Sequence, residues 1–90
     1  MENIQKIVES VMGGKTVRIE VRSRKDDEIW SFVSNLKKMN PELRINCNVT
    51  TLPENVMRAT IDLTLVSKES WIESSLRYAL MGTALTITVS

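Results

Sequence analysis

The sequence predicts an α+β domain built on a four-stranded antiparallel sheet. Three observations carry that expectation. Four segments alternate apolar and polar residues, as strands do that bury one face and wet the other. Two segments between them repeat apolar residues at helical spacing. Glycine, proline and asparagine stand at the joins, where one period gives way to the other.

The elements follow in order. Residues 3–12 place Ile4, Ile7, Val8 and Val11 on one stripe, which predicts a short amphipathic helix stopped by Gly13-Gly14. From Thr16 to Arg22 the odd positions are apolar and the even ones polar, which predicts a half-buried strand. Ser23 is the expected cap of the next helix, with Asp26, Asp27 and Glu28 suiting the positive end of its dipole. Ile29, Val33, Leu36 and Met39 form its stripe, with Phe32 beside it, and Asn40-Pro41 closes it because the residue before proline avoids helical geometry. Alternation returns from Leu43 to Thr50, and a turn over Leu52 to Asn55 leads into a longer strand, Val56 to Val66. A helix is expected from Ser67, bearing Ile72, Leu76, Ala79 and Leu80 and ending at Gly82. Leu85, Ile87 and Val89 alternate with Thr86, Thr88 and Ser90 in a last strand.

After the first helix the order is strand-helix-strand-strand-helix-strand, the pattern of a ferredoxin-like βαββαβ sandwich. Its expected strand order is fourth, first, third, second, with two helices on one face. The chain then reads as a single domain overall: an N-terminal helix with its Gly-Gly turn (1–14) and the ferredoxin-like domain (15–90). Ninety residues give one modest core. A chain of this size buries only roughly 60–65% of its unfolded surface, so dimerisation would add useful burial.

Composition removes several chemistries. There is no histidine, the commonest general base and metal ligand, and Cys47 is the single cysteine. A Ser-His-Asp triad, a Cys-His dyad, an internal disulfide and a zinc site rich in histidine or cysteine are therefore excluded. Twelve basic and eleven acidic residues leave a net charge of +1, which gives no global attraction to nucleic acid or membrane. Electrostatic function must come from where the charges sit. The start MENIQKIVES lacks the basic opening and apolar stretch of a signal peptide, and no apolar run approaches the ~20 residues of a membrane span, so a cytoplasmic location is expected.

One motif fails on context. Gly14-Lys15-Thr16 ends like a phosphate-binding loop, but the first glycine of that motif would fall at position 9, which is Glu9. The loop also runs from helix to strand, so the nearest helix end is the negative one, which repels anions.

The open face of the sheet is the best functional candidate. Its polar positions hold Thr16, Arg18, Glu20 and Arg22; Arg44, Asn46, Asn48 and Thr50; Arg58, Thr60, Asp62 and Thr64; and Thr86 and Thr88. Four of the six arginines fall there, and the arginine fork suits phosphate or carboxylate. Glu20 and Asp62 are placed to pair with them across strands. RNA-recognition motifs share this strand order, but they stack bases on aromatic residues of the central strands. The first and third strands here carry no Phe, Tyr or Trp. Contact with RNA would therefore be to backbone and sugar, with little sequence reading.

Two further features point to protein partners. The sandwich does not need the N-terminal helix, so its stripe packs either on the chain itself or on a second copy. Trp30 and Trp71 lie beside the apolar stripes of their helices, either as a rim of the core or as interface anchors. Cys47 falls on the apolar side of its strand, where a free cysteine is usually packing.

These observations favour binding over catalysis. The expected function is a small non-catalytic regulatory module that contacts nucleic acid, RNA or single strands, through Arg18, Arg22, Arg44 and Arg58. The alternative is a homodimeric protein–protein adaptor or accessory assembly subunit, using Ile4, Val8 and Val11 of the first helix together with Trp30 and Trp71. No cofactor, metal or membrane partner is expected.

Overall fold

The computed structural model describes residues 2–83 and 85–89; Ser90, expected to close the last strand, lies outside the described residues. The elements are α1 (Glu2–Met12), β1 (Val17–Ser23), α2 (Asp26–Met39), β2 (Leu43–Leu52), β3 (Val56–Leu65), α3 (Ile72–Met81) and β4 (Ile87–Val89), with a single 3₁₀ turn at Pro53–Asn55. The fold is α+β, with a four-stranded antiparallel sheet and three helices. The sheet order is β2-β3-β1-β4, so β3 and β1 are central and β2 and β4 are edges.

Local chemistry explains most boundaries. Gly14 has φ +87, a left-handed geometry that glycine adopts without a Cβ penalty. The Gly14 N–H donates to the Val11 carbonyl at 3.0 Å and the Lys15 N–H to the Ser10 carbonyl at 3.1 Å, which satisfies carbonyls that α1 would otherwise leave open. Asn40 stops α2 with φ −133 and ψ 64, as expected of a residue before proline. Its side chain is fully buried, and its Nδ2 donates to the Leu36 carbonyl at 3.0 Å.

The core lies between the sheet and one helical layer. Val17, Ile19 and Val21 of β1 stand directly opposite Leu63, Ile61 and Ala59 of β3, and all six are buried. Leu36 of α2, Leu76 of α3 and Val8 of α1 join them in one continuous cluster. α1 and α2 contact the strands, and α3 packs against both of these helices and adds Leu76, Ala79 and Leu80 to the same core. Burying a side chain the size of Ile61 contributes about 2 kcal/mol, so the alternating pattern is the main source of stability. Ser75 Oγ donates to the Met39 carbonyl at 2.6 Å and ties the start of α3 to the end of α2.

Four expectations about element ends are corrected. Ser23 does not cap α2, which starts at Asp26 after Lys25; the Ser23 hydroxyl instead accepts from the Lys25 N–H and donates to Glu28, each at 3.0 Å. The helix expected from Ser67 starts at Ile72, the first of its residues to be buried, after a turn in which the Ile72 N–H donates to the Glu69 carbonyl. β2 runs on to Leu52, because β3 pairs with it residue for residue down to Val56. β4 covers only Ile87 to Val89, not the stretch from Leu85.

Candidate nucleic-acid interface

Strand pairing arranges the open face into rows. Arg22 of β1 stands opposite Arg58 of β3, and Arg58 opposite Thr50 of β2. The next row holds Thr88, Glu20, Thr60 and Asn48. Arg18, Asp62 and Asn46 follow, and then Thr64 beside Arg44, with the Thr64 hydroxyl 2.9 Å from that of Thr16. These residues are exposed or half-buried, whereas Val17, Ile19, Val21, Ala59, Ile61 and Leu63 on the other face of the central strands are buried.

The four arginines are not equivalent. Arg18 makes a bidentate pair with Asp62, Nε to Oδ1 at 2.8 Å and Nη2 to Oδ2 at 3.2 Å. This guanidinium, through its hydrogen bond first, holds the Asp62 carboxyl below the usual carboxylate range, and the carboxylate raises the Arg18 pKa in return. The cross-strand pairing expected for Asp62 is thus present. Glu20 instead pairs along its own strand, with Arg22 Nε 2.8 Å from its Oε2. Arg44 and Arg58 have no carboxylate partner among the described residues.

The structure brings Arg22 and Arg58 together and leaves Arg44 apart. Arg44 lies six positions along β2 from Thr50, the neighbour of Arg58, a distance of roughly 20 Å along an extended strand. Directly opposed like charges destabilise a sheet. Arg58 adds a second cost, because its Nε is buried without a hydrogen-bond partner among the described residues. Arg24 and Lys25 follow β1 at the same end, both exposed, and Arg24 reaches Glu54 of the hairpin turn only at 3.8 Å. This end of the sheet thus gathers Arg22, Arg24, Lys25 and Arg58, with Glu20, Glu54 and the acidic first turn of α2 beside them. Sequence alternation finds the face; the Arg22–Arg58 opposition needs the strand register, which alternation alone leaves free to slide by two residues.

The residues expected at a protein interface separate into two groups. Val8 and Val11 are fully buried in the chain's own core, with Ile4 half-buried against it. Of the two placements expected for this stripe, packing on the chain itself is the one present, and Val8 and Val11 are not available as the interface residues of the alternative reading: α1 packs on the β1–β3–β4 part of the sheet and on α3. Trp30 and Trp71 remain exposed, at 51% and 43%, as do Tyr78 and Met81 on α3. A groove of about 420 Å³ between α2 and α3 runs past Ser31, Phe32, Asn35 and Tyr78. Cys47 is half-buried, and burial pushes its thiol pKa up, which disfavours the reactive thiolate.

No helix among the described residues is long and apolar enough to cross a membrane. Compared with protein families, with curated proteins and with solved structures, the chain finds no match.

Proposed function

We propose that this protein is a non-catalytic regulatory module that binds nucleic acid, RNA or single strands, on its open sheet face. The observation that carries the reading is the opposition of Arg22 and Arg58. Arg22 and Arg58 are direct cross-strand partners; Glu20 holds Arg22, Arg58 has no carboxylate partner among the described residues, and Arg24 and Lys25 follow in the adjoining loop. A phosphate group would give the Arg58 fork an acceptor and lie within reach of the other cations. Arg18, clamped by Asp62, contributes less, and Arg44 marks the far end of the face. The reading also includes the ferredoxin-like sandwich. The neighbour pairs β2–β3, β3–β1 and β1–β4 support it, since these are the pairs the expected order requires when counted from the opposite edge.

Fluorescence anisotropy with a labelled single-stranded RNA tests the proposal. Wild-type protein is expected to bind with an affinity that falls steeply with salt. Replacing Arg22 and Arg58 together with threonine is expected to lower the logarithmic salt slope by about 1.4, two phosphate contacts at ~0.7 each on a single strand. Arg44→Thr alone should change it less. Wild-type protein that shows no salt-sensitive binding overturns the reading.

A second reading has its own observation. Trp30, Trp71, Tyr78 and Met81 expose apolar surface on the helical layer, which supports an adaptor that docks a protein partner there.

A further inference from the structure

The two edges of the sheet are built differently. Among the described residues β4 pairs over three, Ile87 to Val89. β2 is ten residues long, pairs without a bulge along β3, and leaves its outer backbone groups unpaired among the described residues. Such edges are usually blunted by proline, lysine, a bulge or shortness. The β2 sequence, LRINCNVTTL, has none of these and a single charge, Arg44. Its core-side residues Ile45, Cys47 and Val49 are each only half-buried.

We propose that β2 pairs antiparallel with β2 of a second copy of this chain, about a two-fold axis that passes through Cys47.

The occupant is argued from self-complementarity. A two-fold perpendicular to the sheet keeps core-side residues opposite core-side residues, and the registers that pair the most of the strand, nine of its ten residues, centre on Cys47 or Asn48. Centred on Cys47, Ile45 meets Val49 of the second copy, Cys47 meets Cys47, Asn46 meets Asn48, and Arg44 meets Thr50. The three inner core-side pairs are apolar, amide faces amide, and no like charges oppose; only Leu43, at the strand end, meets a polar residue, Thr51. Centred on Asn48, Ile45 would face Thr51 nearer the middle of the strand and Arg44 would face Leu52 on the open face, a poorer match. A segment of another protein would have to match this pattern by chance, whereas a second copy matches it by symmetry.

The flank of α2 above this edge points the same way. Ser31, Phe32 and Asn35 line the groove toward α3, so Trp30, Val33 and Lys37 occupy the other flank. α2 contacts β2, and it carries the exposed Trp30. Pairing leaves both open faces on one side, so the arginines of the two copies share one continuous sheet surface. The inference does not depend on what that surface binds.

Asn46 and Asn48 are exposed, so substitutions there leave the monomer core untouched. Sedimentation equilibrium should show wild-type protein as a dimer. Asn46→Lys with Asn48→Lys opposes two pairs of like charges across the axis, and is expected to weaken the dimer about tenfold or more with the melting profile of the fold retained. Asn46→Lys with Asn48→Glu opposes unlike charges and should restore it. Oxidation with copper phenanthroline should cross-link the wild-type dimer through Cys47, since opposed strand residues lie about 4.5–5.5 Å apart and disulfides span that range. Cys47→Ser should abolish the cross-link and keep the dimer. A monomeric wild type, a dimer indifferent to both charge variants, or a dimer that resists cross-linking overturns the proposal.

Discussion

Three consecutive residues of β3 meet two unlike environments. Ile61 is fully buried beneath the helices and opposite Ile19. Thr60 and Asp62, on either side of it, point to the open face beside Glu20 and Arg18. The core face is held by volume and by apolar area removed from water, and any well-packed aliphatic side chain does that work. The open face is held by little, and it carries the directional groups. Arg22 and Arg58 stand opposite one another there, on the face that the core does not need. The contrast separates the residues that make the fold from those free to recognise something.

The largest test of the contrast is Ile61→Ala. It removes three carbons from a fully buried site and is expected to cost about 3 kcal/mol in denaturant unfolding, from lost transfer energy plus the cavity left behind. A loss below about 1 kcal/mol would mean the helical layer collapses onto the gap, and that the core face is looser than its burial indicates. Thr60→Ala, one residue earlier, should cost about 1 kcal/mol or less, through strand preference and its contacts with Glu20 and Asn48. If its cost matched that of Ile61→Ala, the open face would be bearing the fold.

The smallest expected effect is that of Asp62→Asn, and its pH dependence sharpens the comparison. Arg18 lowers the Asp62 pKa in the folded state. Such a group contributes stability above its unfolded value, near 3.9, and loses it as pH falls through the folded value. The difference between wild type and Asp62→Asn should therefore be small and constant from neutral pH to about pH 4, and vanish below that. Solvent screens so exposed a pair, and salt should shrink the difference further. A difference that grew on acidification would assign the acid sensitivity to other groups.

Much of this was legible in the sequence. Alternation put Ile19, Ile61 and Leu63 on one face and Arg18, Arg22, Arg44 and Arg58 on the other, and the structure keeps that division. Gly13-Gly14 and Asn40-Pro41 marked helix ends because their backbone preferences act locally. The helix expected from Ser67 began five residues late, since polar residues before Ile72 carry no stripe that fixes a start. The stripe of α1 was visible, but a stripe says only that something covers it. Here the covering surface is the same chain, and Val8 and Val11 are closed to a partner.

The sequence by itself determined which residues are apolar on one side of each element, which chemistries are missing, and where the chain turns. Those properties depend on neighbours one to four residues apart, and they are written in local spacing. Only the tertiary structure decided that Arg22 stands opposite Arg58, that Asp62 clamps Arg18, that α1 packs on the chain's own core, and that β2 lies at an edge of the sheet. Each of these depends on strand register or helix docking between segments far apart in the chain. Alternation of period two fixes the face of a strand, but not which pair of residues meets across it.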